Sequence, residues 1–553
     1  MTHFTDAMEM SPIVSFADQI GPAGLFAFIA VLVCLVGWFF MRFFIRRGRR
    51  LFRFLFSLLY AIGGAIASHE DVQHWATTHP RTMRFLKKRT SRETFGGLTL
   101  TLLTIAFVYA LLAFIGVVHD IVTVSVFAEA DVRVENLFYA YRSVPVTAFF
   151  LWITMLGSWQ VVASVLVGAS IVLYTRKHER FILPLWVTVF CSLIVGLISK
   201  NEFHRSRPEG VAVYVEQSFS FPSAHSILAV SLYGFLMYIA IRYTKKWRHK
   251  IYICFLGIAI ITLIGLSRLY VGVHYVSDVW GGYLLGLLWL IIGISLSEWF
   301  SHFKYHPPAH AVLQSRRFAY VGTGIATLII GVTYIFMGRS GIDLILSNPP
   351  SFEVSNRTTN SALHIFTDGA PRYAETISGN HQEPIAFIVT ASSEEAFTKA
   401  FERASWRSAE HLSSRSIVRM IRTMITSGSY PTAPMTPSFW NQEVNDFAFQ
   451  KPTPADSIEE RHHARFWRTA YVTEDGKRVY VGTASLDTNI KWFITHAIAP
   501  DIDSEREVLL QDLLAGGDVD HVDTVQLVPP VLGKNIFGDL FFTDGKAHVL
   551  ELK

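Results

Sequence analysis

Ser267-Arg-Leu-Tyr-Val-Gly-Val-His-Tyr-Val-Ser-Asp278 joins two apolar segments, near residues 251–267 and 279–298, in a chain of 553 residues. Each segment is close to the length of about 20 residues that an α-helix needs to cross a bilayer. His274 and Asp278 are four positions apart, so a helical turn brings both side chains to one face. The stretch therefore predicts two membrane helices that hold a polar site between their ends.

Two further polar blocks lie at the ends of other apolar segments. They are Lys200-Asn-Glu-Phe-His-Arg-Ser-Arg207-Pro and Pro222-Ser-Ala-His225. Pro and Ser directly before an apolar run are typical of a helix start, where free backbone N–H groups favour an anion. Lys and Arg side chains supply the charge that stabilises phosphate oxygens during phosphoryl transfer. The blocks together predict a phosphate site whose cations are Lys200, Arg207 and Arg268.

The histidines and the carboxylate predict a reaction at that site. Asp278 can hold one imidazole nitrogen of His274 and leave the other free to attack phosphorus. Such an attack would give a covalent phosphohistidine, which water then cleaves. His225 can protonate the departing group as a general acid, and Ser223 can donate to a phosphate oxygen. No cluster of Asp and Glu at metal-binding spacing accompanies the blocks, so we expect the cations to act in place of Mg²⁺, with no cofactor.

Each of these residues, taken alone, also has a structural explanation. A lone Lys200 or Arg268 at a helix end would be interpreted as a headgroup anchor. A lone His225 or His274 would be interpreted as a polar contact between helices. The complete set in one order favours a functional site. Two positions inside the first block but off its spacing pattern are interpreted as loop residues: His204 and Arg205.

The blocks resemble the type 2 phosphatidic acid phosphatase superfamily, whose pattern is KxxxxxxRP, then PSGH, then SRxxxxxHxxxD. All three spacings match, and Ala224 in place of the usual Gly is the single departure. The resemblance covers roughly residues 96–300 and implies a metal-independent phosphatase built on a six-helix core. It implies His274 as nucleophile, His225 as acid and Asp278 as the residue that orients the nucleophile. The phosphate binders that it implies are Lys200, Arg207, Ser223 and Arg268.

The resemblance implies a lipid phosphate or pyrophosphate as substrate. Phosphatidate, phosphatidylglycerophosphate, undecaprenyl pyrophosphate and lipid A phosphates all fit, because the motifs bind only the phosphate. Two alternatives stay open. One is a lipid phosphotransferase with the same site, from which release of inorganic phosphate without an acceptor would distinguish a phosphatase. The other is a non-catalytic lipid-binding or transport scaffold, against which the intact set of seven residues argues.

Composition indicates a multi-pass membrane protein, since 51% of the residues are hydrophobic and the mean hydropathy is +0.33. The predicted spans lie near residues 22–41, 96–117, 150–174, 181–199, 224–242, 251–267, 279–298 and 318–337. The shorter apolar segment 54–67 lies between basic clusters and is predicted to be an interfacial or re-entrant helix. Residues 1–337 carry 29 Lys and Arg against 16 Asp and Glu. We assign this surplus to membrane topology and not to nucleic acid.

The positive-inside tendency places the loops rich in Lys and Arg in the cytoplasm. All three blocks and the chain after residue 337 then lie outside. We therefore predict a protein of the bacterial inner (plasma) membrane whose active site and tail face the periplasm. Its expected partners are the bilayer and a membrane lipid phosphate, with no nucleic acid. The cysteines predict neither a disulfide framework nor a metal site, since all lie in apolar runs: Cys34, Cys191 and Cys254.

The tail is predicted to be a soluble α+β domain, with 20 Lys and Arg against 28 Asp and Glu from residue 338 onward. Strands are expected at 385–390, 470–472 and 478–483, a turn at Asp475-Gly476, and helices at 393–406 and 410–425. The predicted organisation is an N-terminal anchor and basic segment (1–95), the phosphatase core (96–300), a linker with the last span (301–345) and the extracytoplasmic domain (346–553).

Motifs in the tail, such as Arg461-His-His-Ala-Arg-Phe-Trp467, resemble the LssY-type carboxy-terminal domain that is found fused to such phosphatases. A role as a lid, a substrate filter or a module that binds an envelope partner is our hypothesis. Several tail residues are candidates for a metal or hydrolytic site, although their spacing is not diagnostic and core or surface roles are favoured. They are His462, His463, His496, Asp501 and Asp503.

Overall fold

A computed structural model of the chain divides into two compact units. The helical unit contains Ala30–Ser125 and Val144–Pro350, and the soluble unit contains Val126–Ser143 and Ser351–Lys553. The structure describes residues 21–91, 95–123, 126–302, 316–347, 356–410, 416, 419–420, 422–423, 430–454, 460–491, 495–534 and 539–553.

Helices form nearly all of the described chain before residue 351. Their bounds are Gly21–Phe43 (α1), Arg49–Ser68 (α2), Glu70–Thr78 (α3), Pro80–Thr90 (α4), Leu98–Val122 (α5), Val126–Ala140 (α6), Val144–Met155 (α7), Trp159–Thr175 (α8), Ile182–Phe203 (α9), Ala224–Leu228 (α10), Gly234–Tyr243 (α11), Trp247–Tyr270 (α12), Val276–His302 (α13) and Arg316–Ser347 (α14). A π-helical turn, Ala229–Tyr233, joins α10 to α11, and another, Phe44–Gly48, joins α1 to α2.

Within the described residues, seven helical segments are long and apolar enough to cross a membrane, or eight when the pair α7 and α8, bent by 45°, counts as one span. All eight predicted spans overlap these segments, the first of them (22–41) from residue 32 onward. The segment 54–67 lies in α2, which continues α1 through the π-helical turn. This continuity contradicts the re-entrant alternative, and the interfacial alternative stays a prediction. The intervening arginines are good helix formers, and Gly48 keeps right-handed helical backbone angles, so the charges do not break the helix.

Glycines on α13 let this helix approach α10 closely. A Cβ atom at Gly282 would lie 2.7 Å from the carbonyl oxygen of Ser223, and one at Gly286 would lie 2.7 Å from that of Ile227. Small residues of this kind allow helix backbones to approach each other in membranes. The Ser223 N–H also donates to the Asp278 carbonyl oxygen at 3.1 Å. The two motif-bearing helix starts are therefore held together by backbone contact.

The soluble unit is built on a nine-stranded sheet. The strand bounds of the unit are Arg357–Thr359 (β1), Tyr373–Glu375 (β2), His381–Pro384 (β3), Phe387–Ala391 (β4), Arg407–Ser408 (β5), Phe439–Trp440 (β6), Glu443–Val444 (β7), Phe447–Pro452 (β8), Arg461–Thr473 (β9), Arg478–Lys491 (β10), Thr495–Ile498 (β11), Val519–Gln526 (β12), Val531–Lys534 (β13), Leu540–Thr543 (β14) and Lys546–Leu552 (β15). Seven strands of the large sheet follow the order β12-β15-β4-β10-β9-β8-β5, while β1 pairs with β9 and β11 with β10.

Helices complete the soluble unit and confirm its α+β class. They are His364–Thr367 (α15), Glu394–Arg403 (α16) and Ile502–Gly516 (α17), and the last two pack through Phe397, Phe401 and Leu509 on a buried aromatic core. The strands predicted at 470–472 and 478–483 lie within β9 and β10, and the one predicted at 385–390 overlaps β4 from residue 387 onward. Gly476 turns the β9–β10 hairpin with a φ of 87°. The predicted helix at 410–425 lies largely outside the described residues.

Helix α6 precedes the tail by more than 200 residues and nevertheless folds with it. Arg133 of α6 is buried, and its guanidinium donates to Glu375 Oε2 of β2 at 2.8 and 3.1 Å. Asn136 Nδ2 donates to the Gln442 carbonyl oxygen at 2.9 Å. Because α6 lies between α5 and α7 in sequence, the loop that carries α6 and the tail must lie on the same side of a membrane.

Candidate active site

The seven residues predicted from the motifs lie at helix ends and in the adjoining links of the helical unit. Their positions are the last turn of α9 (Lys200), the loop after it (Arg207), the start of α10 (Ser223 and His225), the last turn of α12 (Arg268), the α12–α13 link (His274) and the first turn of α13 (Asp278). Five are buried, and Arg207 and His225 are partly exposed. Four of them form one contact network that joins the His–Asp pair to the two arginines.

Asp278 is fully buried and accepts several hydrogen bonds. Its Oδ1 accepts from Arg205 at 2.6 Å, and its Oδ2 accepts from the Tyr275 N–H at 2.9 Å and from the Ser220 hydroxyl. His274 Nδ1 lies 3.4 Å from the same Oδ2, which is long for a hydrogen bond. The carboxylate is thus fixed by its other donors, and the imidazole is oriented against it.

The second ring nitrogen of His274 faces a cation. Nε2 lies 3.3 Å from a terminal guanidinium nitrogen of Arg207, which also donates to the Val273 carbonyl oxygen at 2.6 Å. Burial lowers the pKa of His274, and the charges of the nearby arginines lower it further. The imidazole is therefore neutral near pH 7. With its proton on Nδ1 toward Asp278, the lone pair lies on Nε2.

Glu216 bridges the two arginines of the site. Its Oε2 lies 2.5 Å from Arg207, and its Oε1 accepts from Arg268. Arg268 is fully buried, donates to Thr154 Oγ1 at 2.8 Å and to the Tyr214 hydroxyl at 2.5 Å, and keeps an Nε without a partner among the described residues. Burial alone would raise the pKa of Glu216, but the arginine charges hold it well below its usual range. Two guanidinium groups thus converge on one bound carboxylate.

The side chains of Ser223 and His225 line the same region and have no hydrogen-bond partner among the described residues. The Ser223 hydroxyl is buried, and an unsatisfied buried hydroxyl costs about 1–3 kcal/mol until a ligand bonds it. The His225 ring packs on Gly157, where a Cβ atom would come within 2.8 Å of it. Lys200 Nζ donates to the Ser220 carbonyl oxygen at 3.2 Å and so binds the loop backbone before α10.

Sequence reasoning missed Arg205, Ser220 and Glu216. Arg205 was interpreted as a loop residue, whereas its guanidinium pairs with Asp278 and lies over the Tyr275 ring at 4.4 Å. The reason is that the motif spacing includes Asp278 but does not include the residues that support it. Glu216 could have been found from the sequence, because no other acidic residue lies between Glu209 and Asp278 and this segment carries several cations.

The tail residues considered for a metal or hydrolytic site contact separate partners. These are Glu505 for His462, Asp487 for His463, the N-terminus of α17 for Asp501 and Arg506 for Asp503. Neighbouring strand residues face opposite sides of a sheet, which separates His462 from His463. The His496 side chain lies outside the described residues. Within the described part of the chain, no group of three or more His, Cys, Asp or Glu side chains is arranged to hold a metal ion.

Comparison with known proteins assigns the class. Residues 181–301 match the PAP2 superfamily, and residues 367–547 match the LssY C-terminus. Over 142 residues the chain is 32% identical to phosphatidylglycerophosphatase B of Bacillus subtilis (strain 168), a match that covers 25% of this chain and 68% of that protein. The protein therefore belongs to the PAP2 superfamily, and it is a membrane phosphatase.

Two solved structures are also similar to parts of the chain. One is the transmembrane PAP2 type phosphatidylglycerolphosphate phosphatase from Bacillus subtilis, with 28% identity and a TM-score of 0.34 over 36% of this chain and 98% of that one. The other is LpxE of Aquifex aeolicus, with 25% identity and a TM-score of 0.24 over 29% of this chain and 92% of that one.

Proposed function

We propose that the protein hydrolyses a lipid phosphate or pyrophosphate through a phosphohistidine on His274. The observation that carries this proposal is the orientation of His274, with Asp278 at Nδ1 and Arg207 at Nε2. A neutral nucleophile held beside two guanidinium groups suits attack on a phosphate whose charge those groups stabilise.

In the proposed reaction the phosphate displaces Glu216 from Arg207 and Arg268 and accepts a hydrogen bond from Ser223. His274 Nε2 attacks phosphorus, so that a P–N bond forms while the P–O bond to the lipid breaks. His225 gives its proton to the departing oxygen. Water then attacks the phosphohistidine, His225 takes a proton from it, and the P–N bond breaks to release inorganic phosphate.

The substrate class we propose is an amphiphile with a terminal phosphate. The site lies at the ends of membrane-crossing helices, at the level where lipid headgroups meet water. The relative named phosphatidylglycerophosphatase B makes phosphatidylglycerophosphate the first substrate to test. Phosphatidate, undecaprenyl pyrophosphate and lipid A complete the panel, because the contacts described above recognise the phosphate alone.

We further propose that the protein lies in a bacterial inner membrane with its site and tail on the periplasmic side. The basic loops support this orientation through the positive-inside tendency. The packing of α6 with the tail supports it independently, since it requires the tail and the α5–α7 loop to share a side. An impermeant maleimide should label Lys553→Cys and spare Lys245→Cys in a cysteine-free variant of intact, outer-membrane-permeabilised cells; the reverse pattern would overturn the orientation.

Phosphate release by the detergent-purified full chain tests the chemistry, with EDTA present and His274→Ala beside the wild type. Release by the wild type alone, without an acceptor lipid, is the expected result. Phosphate release by His274→Ala at more than about a hundredth of the wild-type rate would show that His274 is not the nucleophile, since removal of a covalent nucleophile lowers the rate by several orders of magnitude. Transfer of labelled phosphate to a second lipid with no release would show a phosphotransferase instead.

A further inference from the structure

The soluble unit contains a cavity of about 300 Å³ beside strands β9 and β10. Arg461, His463 and Arg465 alternate along β9 and so face one side of the sheet, the side that lines the cavity. On β10, Asp487 is registered opposite Arg461. Leu137 of α6 forms part of the wall. Charged side chains are thus gathered around an internal space that the proposed phosphatase reaction does not use.

Part of this charge is already neutralised. Arg461 donates to Asp487 Oδ2 at 3.1 Å and to Gln450 Oε1 at 2.7 Å. His463 Nδ1 lies 2.9 Å from Asp487 Oδ1, close enough for an ion pair but not aligned for a hydrogen bond. The other ring nitrogen lies 3.1 Å from Arg465 and 3.2 Å from the Ser485 hydroxyl. Arg461 and Asp487 therefore need no external partner.

Two charged groups of the cavity wall have no ion-pair partner among the described residues. Arg465 donates only to the Thr436 carbonyl oxygen at 3.2 Å and to His463, and no carboxylate among the described residues lies within 4 Å of it. Glu383 of β3 is 8% exposed and has neither a hydrogen bond nor an ion pair from a described side chain. Burial lowers the pKa of Arg465, and the charges of Asp487 and Glu383 oppose that change. Unpaired charges in such a place are costly unless a ligand compensates them.

We propose that this cavity binds a small zwitterion, with its phosphate or carboxylate against Arg465 and its ammonium group against Glu383. The apolar lining from Ile377, Met435 and Phe439 would accept the short carbon chain between the two charges. An anion alone would leave Glu383 unpaired and a cation alone would leave Arg465 unpaired, so the complementary ligand carries both charges. A lipid headgroup and a free metabolite share this chemistry.

Isothermal titration of the full chain in phosphatidylglycerol nanodiscs tests the proposal. The probes are glycerophosphoethanolamine and diglycine, with glycerophosphate and ethanolamine as the single-charge controls. At least one zwitterion is expected to bind at one site, at least tenfold more tightly than either control. Equal affinity for glycerophosphate would overturn the proposal in favour of a simple anion site. Absence of binding by both zwitterions at millimolar concentration would also overturn it.

Variants locate the binding site. Glu383→Gln and Arg465→Gln should each weaken zwitterion binding at least tenfold, whereas Glu394→Gln, which removes the same charge outside the cavity, should not. Glu383→Gln keeps the proposal testable if Arg465→Gln fails to fold. Unchanged affinity in Glu383→Gln would overturn it. Competition by phosphatidylethanolamine placed in the nanodisc would identify a lipid headgroup as the source, and binding without competition would identify a soluble compound.

Discussion

In the proposed mechanism Asp278 orients His274 through a contact of 3.4 Å, while stronger donors hold the Asp278 carboxylate in place. Asp278→Asn keeps the shape but replaces an acceptor oxygen by an amide that repels the Nδ1 proton. We expect kcat for phosphate release to fall about 10³- to 10⁴-fold, as in other His–Asp pairs that lose the carboxylate. Steady-state kinetics with phosphatidylglycerophosphate measures the effect. Ser277→Ala, which removes a neighbouring contact of Arg205, is the control, and a kcat for Asp278→Asn within tenfold of wild type contradicts the role.

Glu216 contacts the two guanidinium groups that bind phosphate in the proposed mechanism. Glu216→Gln removes the negative charge and should free Arg207 and Arg268 for an anion. We expect the inhibition constant of orthovanadate to fall about tenfold, equivalent to about 1.4 kcal/mol. Glu209→Gln, on the exposed part of the same loop, is the charge-matched control. A weaker inhibition by orthovanadate in Glu216→Gln would show that Glu216 positions the arginines instead of competing.

The sequence predicts the seven motif residues but not the residues that position them. His274, Asp278 and Arg268 stand at fixed spacings because one short link and two helix ends must present them together. Arg205 and Glu216 reach their partners through the folded loop before α10, where no periodicity applies. Their contacts depend on tertiary structure. Of the two residues, only Glu216 could have been noticed in the sequence, because it is an isolated acidic residue among cations.

At the scale of elements, the crossing of α10 and α13 sets the distance between Ser223 and Asp278. Gly282→Ala would place a Cβ atom 2.7 Å from the Ser223 carbonyl oxygen and must push the helices apart. Overpacking of this kind costs about 1–3 kcal/mol. We expect a lower Tm and a kcat reduced about tenfold or more, measured by thermal unfolding in detergent and by phosphate release.

Gly331→Ala is the matched control, because a Cβ atom there meets nothing within 4 Å on a helix of the same unit. It should leave kcat unchanged and Tm equal or slightly higher, since Ala is the better helix former by roughly 0.5–1 kcal/mol. Equal behaviour of the two variants would contradict the close crossing.

Elements with a strong local signal were predicted well. Apolar runs of membrane length fixed the spans, and Asp475-Gly476 marked the β9–β10 hairpin because a tight turn there needs a positive φ. The continuity of α1 and α2 was missed, since clustered arginines were given more weight than their helix propensity. Local sequence patterns do not predict the pairing of β4 with β15, because the two strands are separated by about 155 residues.

At the scale of the whole molecule, the soluble unit draws on two distant parts of the chain. The sequence of α6 does not reveal its partner, because Arg133 and Glu375 are 242 positions apart. The domain bounds predicted from the sequence therefore place α6 in the phosphatase core (96–300) and the tail in a separate domain (346–553). The fold joins them through a buried ion pair that neither segment predicts alone.

The variant Arg133→Ala tests whether α6 folds together with the tail. It leaves Glu375 buried without its cation, and loss of one partner of a buried pair costs about 3–5 kcal/mol. We expect the unfolding transition of the soluble unit in denaturant to shift accordingly, with faster hydrogen exchange in α6. Arg403→Ala breaks an exposed pair with Asp518 and should cost at most about 1 kcal/mol. If the two variants unfold alike, α6 does not belong to the soluble unit. The inference that the α5–α7 loop and the tail lie on the same side of a membrane would then be wrong.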